Sequence, residues 1–255
     1  MSQRQSSNLI IGGGGIGRAL AARLLDQESD SEVIVTTRDP EQWRQQATAQ
    51  GYDQLCRDQR LRLSALDLAQ PEHIAEFAAS LAQTPRHYRR ILVTSGLLHA
   101  ADQQPERQLE DLQLASLNRS FAINASAPLL VLQALLPQFE RRDPIRFAAL
   151  SARVGSIGDN RLGGWYAYRA SKAALNQLIH TAAIELRRRF PDMLCVCLHP
   201  GTVDTPLSQP FQRSVPDRQL FSPGKSATCL LRVLDHLTPA DSGKFYAWDG
   251  RPIEW

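Results

Sequence analysis

The sequence predicts a single α/β domain of the doubly wound Rossmann type, with about seven parallel strands and helices on both faces. Three observations carry this. Short apolar runs alternate with helical segments along the chain, which is the pattern of strand–helix–strand units. The first apolar run passes straight into the glycine-rich turn Gly12-Gly13-Gly14-Gly15-Ile16-Gly17 and then into the helical ALAARLL. No Pro/Gly-rich linker or shift of composition divides the 255 residues, so 1–255 reads as one unit able to bury a large core.

In chain order, strands are expected near Asn8–Ile11, Glu32–Thr36, Leu61–Ser64, Ile91–Thr94, Ile145–Leu150, Met193–Leu198 and Phe245–Trp248. The glycine turn fits GxGxxG at Gly12, Gly14 and Gly17, with a strand before it, a helix after it and a second strand about twenty residues on. In that context the missing side chains let backbone approach a pyrophosphate at the positive end of a helix; the alternative is a merely flexible glycine loop. The second strand ends in Thr36-Thr37-Arg38 instead of the acidic residue that would accept from a ribose 2′-hydroxyl. Arg38, with Arg18 nearby, suits a 2′-phosphate, so NADP(H) is preferred over NAD(H), unless both are ordinary surface arginines.

After the third strand, Asp67-Leu68 falls on the ligand-binding edge of the sheet, where Asp67 accepts from an adenine amino group or simply forms a turn before Pro71. The fourth strand ends in Ser95-Gly96, small enough to run beside a cofactor. A long helical segment follows over 109–136, with Asn124 inside it near Pro128. Asn is a poor helix-interior residue, so this predicts either a local distortion or a tolerated polar position.

The chemistry lies in LSARVGSIGDNRLGGWYAYRASKAALN, residues 150–176. Tyr168 and Lys172 are four apart and share one face of the predicted helix, one turn from each other. A free phenol titrates near ~10, and a fixed ammonium beside it favours the phenolate; the alternative is a chance YxxxK with a partly exposed Tyr and a solvated Lys. Beyond this stretch, PLSQPFQRSVPDRQLF at 206–221 reads as a substrate lid, lying near 206–222. Its Leu207, Phe211, Leu220 and Phe221 either line an apolar pocket or pin the loop down, and Ser222-Pro223 starts the next helix.

Composition narrows the partners. The net charge of +3, from 29 basic and 26 acidic residues spread through the chain, does not call for a nucleic-acid surface. Arg187, Arg188 and Arg189 close a predicted helix, where cations suit the dipole. MSQRQSSN leads into only four apolar residues before the glycine run, so neither a signal peptide nor a membrane span is predicted and a cytoplasmic location is expected. Cys195 and Cys197 fall on one face of a strand as core thiols, and no His/Cys/carboxylate cluster has metal spacing.

With these motifs in family order, the chain resembles the short-chain dehydrogenase/reductase family over essentially its full length, and within it the C-factor-like carbonyl reductases. The residues that carry the likeness are the glycine loop, Asp67, Asn124, SARVGSI, YRASK, Pro200-Gly201-Thr202-Val203-Asp204-Thr205 and the C-terminal GKFYAWDGRPIEW. The resemblance implies that Tyr168 is the acid/base and that Lys172 lowers its pKa and holds the nicotinamide ribose. It implies that Asn124 anchors a relay water, and that Pro200, Gly201, Val203 and Thr205 close over the carboxamide. The implied partner is a small-molecule carbonyl or alcohol, reduced by hydride transfer; the alternative is an NADP(H)-binding sensor of weak or no turnover. The Ala-rich faces of the Asn124 and Lys172 helices suit either a homodimer or homotetramer or packing within the chain.

Three departures are visible. The glycine loop is one residue shorter than the family's TGxxxGxG, and the usual NNAG is Val93-Thr94-Ser95-Gly96. Where the family's SSxxG places a carbonyl-polarising Ser, strict register gives Ala152; Ser151 fills that role only through a one-residue bulge, and Ser156 is a more distant substitute.

Overall fold

The computed structural model describes residues 4–214 and 216–255; Val215, inside the expected lid, lies outside the described residues. In chain order the elements are β1 Gln5–Ile11, α1 Gly15–Gln27, β2 Glu32–Thr37, α2 Pro40–Ala49, α3 Asp53–Arg57, β3 Leu61–Ala65, α4 Pro71–Ala82, β4 Arg86–Val93, α5 Leu114–Phe121, α6 Ala127–Leu135, β5 Arg146–Leu150, α7 Tyr166–Arg189, β6 Leu194–His199, β7 Thr202–Val203, β8 Leu220–Phe221, α8 Pro223–His236 and β9 Phe245–Ala247. Seven strands form one parallel sheet in the order β3-β2-β1-β4-β5-β6-β9, as expected. The order reverses between β1 and β4, where doubly wound sheets open a crevice at their carboxyl ends.

Alternation along the strands sorts the core into two layers. Ile11, Ile91, Phe147, Cys195 and Cys197 face α4, α6 and α7, while Ile10, Leu92, Ala148, Leu150 and Val196 face α1 and α8. Both cysteines are therefore core thiols.

β1 and β4 start earlier than their apolar runs suggest, because their first residues are polar and held by buried charge. Glu32 accepts from Ser7 Oγ at 2.8 Å and from Arg86 Nε at 2.8 Å, and it pairs with Arg62 Nε at 2.9 Å. Asp143 receives both terminal nitrogens of Arg4, at 2.9 and 2.7 Å. These clusters close the amino-terminal edge of the sheet and leave the opposite edge for the site.

The long helix expected over 109–136 is instead a 3-10 turn at Leu109–Asp111, then α5, a π turn at Ala122–Ser126 and α6. Gln108 and Asp111 cap the first turn reciprocally, which separates it from α5. The π turn falls on Asn124, so the expected distortion is present, with Ala127 N–H donating to Ala122 O five residues back. By length and composition Leu114–Gln138 could cross a membrane, but α6 is a core element packed on α4 and α7.

Removing Glu32 leaves Arg86 buried without its counter-charge. Glu32→Ala is expected to lower the unfolding free energy by about 3–5 kcal/mol in urea titration, whereas Arg62→Ala, whose side chain is 63% exposed, costs under about 1 kcal/mol.

Candidate active site at the carboxyl edge of the sheet

The glycine loop leaves β1 and lies against the end of β4. Gly12 has φ +107°, and a Cβ there would sit 2.7 Å from Ser95 N; a Cβ on Gly17 would sit 2.0 Å from Gly12 O. Only glycine fits this contact. Gly12 N–H donates to Thr36 Oγ1 at 3.0 Å, and Thr94 Oγ1 donates to Gly12 O at 2.5 Å. Gly14 is exposed, precedes the first residue of α1 and has open space where a Cβ would be, while Gly15 and Ile16 begin the helix. This is a cradle at a helix N-terminus that fits a pyrophosphate. Thr205 faces Gly15, its methyl 2.8 Å from the Cβ position there.

At the end of β2, Arg38 is exposed. Its neighbour Asp39 is not a ribose acceptor: Oδ1 caps α2 by accepting from Glu41 and Gln42 N–H at 3.0 and 2.9 Å. Arg18 does not join Arg38 as expected, because it is buried against the Trp43 ring and donates to Gln50 Oε1 at 2.5 Å. Asp67 makes the turn, its Oδ1 accepting from Ala69 N–H at 3.0 Å, and Leu68 packs on the core; Leu66 N–H, one residue earlier, ties this segment to Thr37 O at 2.8 Å.

The catalytic candidates converge where α7 crosses the ends of β4 and β5. Tyr168 and Lys172 are both buried, with Lys172 Nζ 5.8 Å from the Tyr168 ring centroid and donating to Leu150 O at 2.8 Å. Asn124 is fully buried: Nδ2 donates to Leu97 O at 2.8 Å and to Ser171 Oγ at 3.0 Å, and Oδ1 accepts from Leu97 N–H at 2.7 Å. Its side chain thus joins the segment after Ser95-Gly96 to the turn of α7 that carries Lys172. Next to Gly96, the Cβ position lies 3.6 Å from Asn124 Oδ1 and 3.7 Å from Lys172 Nζ.

Electrostatically, burial dominates. It pushes the Tyr168 phenol up to about 12 and the Lys172 ammonium down to about 8. The Lys172 ammonium donates to the β5 carbonyl of Leu150 and lies 5.8 Å from the Tyr168 ring centroid.

β5 keeps its register with β6 to its end at Leu150, and Ser151 N–H donates to Leu198 O at 2.8 Å. The Ser151 Oγ is buried without a protein partner, while Ala152 is half-buried in extended backbone one residue on. Ser156 is also buried, and its Oγ accepts from Asp159 N–H at 3.1 Å in a turn.

Residues beyond those anticipated complete the site. Gly163, Gly164 and Trp165 all have positive φ, and Trp165, at φ 54° and ψ 42°, immediately precedes α7. Glu106 holds this entry: its O accepts from Trp165 N–H at 2.6 Å and its Oε2 from Ala167 N–H at 3.2 Å. The Trp165 ring lies edge-on to Tyr168 at 6.3 Å and to Phe211 at 4.9 Å. The run Gly-Gly-Trp just before a helix was the signal for this; nothing in the local sequence marked Glu106.

In the expected lid, Phe221 pins the chain: it is buried, stands 4.7 Å from Trp248, and belongs to β8, which pairs with Thr202-Val203. Leu220 pairs with Thr202 in that ladder. Phe211 and Leu207 face the site, and His99 joins them through Pro206 O at 3.1 Å and the Phe211 ring at 5.8 Å. Ser226 Oγ donates to Pro200 O at 2.9 Å, anchoring the Pro200-Gly201 turn from α8, and Val203 is buried below it.

Known proteins share this fold. The family model for short chain dehydrogenases matches residues 8–215. C-signal of Myxococcus xanthus is 39% identical over 147 residues, 58% of this chain and 83% of that protein. The NADPH-bound carbonyl reductase from chicken fatty liver superposes with a TM-score of 0.82 at 26% identity, covering 100% of this chain and 96% of that one. A putative short-chain dehydrogenase/reductase from Burkholderia multivorans with bound NADP superposes at 0.77 with 27% identity, covering 98% and 100%. The chain belongs to the short-chain dehydrogenase family.

Proposed function

We propose that this protein is an NADPH-dependent reductase of small-molecule aldehydes or ketones with Tyr168 as its proton donor. The observation that carries the reading is the burial of Tyr168 and Lys172 together at the carboxyl edge of the sheet, across from a glycine cradle open at Gly14. The NADPH and NADP bound by the two solved relatives support the choice of cofactor, as does exposed Arg38 beside an Asp39 already committed to its helix cap. Gly12, Gly14, Gly15, Ile16 and Gly17 would cradle the pyrophosphate, and Arg38 the 2′-phosphate. Asp67, Leu68, Ser95 and Gly96 would flank the adenosine and the ribose. Pro200, Gly201, Val203 and Thr205 would close over the carboxamide. When bound, the dihydronicotinamide supplies the hydride.

The protein supplies position and a proton. A phenol held near 12 keeps its proton throughout the neutral range, so Tyr168 is poised to donate to a carbonyl oxygen as charge builds there. Asn124 holds α7 against the Leu97 segment and thereby fixes the Tyr168–Lys172 helix face.

A second reading, an NADP(H)-binding sensor with little turnover, is favoured by one observation: Ala152 stands where a hydroxyl would polarise the carbonyl, and Ser151 is buried below it.

Four outcomes follow, read on a panel of aldehydes and ketones with NADPH. Tyr168→Phe loses activity by at least about 10²-fold while NADPH binding by fluorescence is retained; near-normal turnover removes Tyr168 from the chemistry. Arg38→Ala weakens NADPH by roughly 10- to 100-fold and leaves NADH nearly unchanged; an equal effect on both would remove Arg38 from 2′-phosphate recognition. Because burial lowers the Lys172 pKa to about 8, its charge is half lost at that pH and falls away across roughly a unit on either side. The kcat/KM for reduction accordingly declines through about pH 8 with its midpoint there, a decline that Lys172→Arg shifts upward. Ala152→Ser raises turnover by about tenfold or more if Tyr168 works without a second donor; no gain removes position 152 as the place of a missing donor.

A further inference from the structure

We propose that Trp43 is a positioning residue for the glycine loop, supplying from the neighbouring helix the hydrogen bond and bulk that the shortened loop lacks. The inference deepens the cofactor reading of that loop and rests on it.

Trp43 reaches the loop because of how α2 starts. Asp39 caps the helix with its carboxylate, Pro40 occupies the first turn, and Asp39 O accepts from Trp43 N–H at 3.0 Å. This first turn directs the indole back over the end of β2, where it is buried and its Nε1 donates to Gly13 O at 2.6 Å. The fit leaves no room for a side chain on the loop. A Cβ at Gly13 would stand 2.3 Å from Trp43 Nε1, 2.6 Å from its Cδ1 and 3.1 Å from Val35 Cγ1. Gly13, which GxGxxG does not require, is glycine because of the indole.

The other side of the ring is held by α1. The Arg18 guanidinium lies 5.1 Å from the indole centroid and 6.0 Å from the Tyr52 ring, and it is tied to Gln50. Trp43 therefore joins the loop to the first turn of the helix it feeds. The direction of the hydrogen bond matters for ligand binding. A trans peptide plane points its C=O and N–H opposite ways, so fixing Gly13 O on Trp43 turns the Gly14 N–H away from it. Gly14 is the exposed position of the loop, with no heavy atom near its Cβ site. An anion there meets a preset donor at the helix N-terminus. The same Asp39 cap follows Arg38 directly, so one helix start places both the 2′-phosphate reader and the support of the pyrophosphate cradle.

The test uses the full chain with Trp43→Phe, which keeps a ring and removes the N–H, and Trp43→Ala, each with and without Gly13→Ala. Without cofactor, amide hydrogen exchange across 12–17 is expected to speed up about tenfold in Trp43→Phe. NADPH affinity falls about tenfold, with the loss expressed in KM for NADPH and not in kcat. In thermal melts Gly13→Ala is strongly destabilising in the wild-type background and nearly neutral in Trp43→Ala, because the clash has gone. Unchanged exchange and affinity in Trp43→Phe, or additive melting shifts for Gly13→Ala and Trp43→Ala, overturn the proposal. A wild-type chain that binds no NADPH overturns the cofactor reading and the positioning role together, and the exchange and melting results separate that failure from a loss of the Trp43 contact.

Discussion

An ammonium buried without a carboxylate is the constraint around which this site is built. Lys172 lies against Leu150 O at the end of β5, and a Cβ on Gly155 would come within 2.7 Å of its own Cβ. Backbone must therefore close on the side chain from β5 and from the turn after it, and among the described residues no carboxylate pairs with the charge, which is left to dipoles. The π turn at Asn124 serves the same end. It lets a buried amide bridge Leu97 and Ser171, locking α7 to the end of β4 next to the lysine. A straight α-helix through 114–135 would present that amide one step out of phase. The distortion is thus a requirement of the site, not a defect in the helix.

Charge is distributed between the two edges of the sheet in opposite ways. At the amino-terminal edge Glu32, Arg86, Glu28, Arg90, Arg4 and Asp143 are matched in ion pairs. Toward the carboxyl edge, buried groups without a protein partner among the described residues include Ser95 Oγ, Ser151 Oγ and His199 Nδ1, directly after or at the ends of β4, β5 and β6. Burial pushes His199 down to about 4, which keeps it neutral there. A fold that satisfies its polar groups at one end and leaves them open at the other has reserved the second end for a ligand.

The fold was legible because each strand carries its own apolar run and each crossover its own helical spacing, and the glycine turn fixed which strand comes first at the crevice. The polar starts of β1 and β4 were not, since Ser7, Arg86 and His87 enter the sheet only through partners distant in sequence. The shared helix face of Tyr168 and Lys172 was legible from spacing, as a helix face is a local property, whereas their proposed role came from the resemblance and not from the spacing. Trp43, Glu106 and Arg18 were not, for the opposite reason. Trp43 acts on a residue thirty positions away, Glu106 on a helix start about sixty away, and the burial of Arg18 depends on the indole that covers it. Side-chain pKa values were hardest of all: a Tyr/Lys pair in sequence suggests a lowered phenol, and only the direction of Nζ, toward Leu150 O, shows that burial prevails.

The register at Ser151 and Ala152 shapes the chemistry most. A one-residue bulge after Leu150 would cost the Ser151 N–H bond to Leu198 O and leave the pairing of Arg146–Leu150 with β6 unchanged. In the observed register Ser151 is buried and Ala152 follows it in extended backbone. On the proposed function, Tyr168 is left as the only side-chain donor of those assigned to the carbonyl oxygen. Loss of one such donor elsewhere slows turnover by roughly 10²–10³-fold. A carbonyl with a strongly electrophilic carbon, an aldehyde before a dialkyl ketone, needs less of that polarisation, so on the proposed function the alanine would bias the site toward the more reactive end of that class.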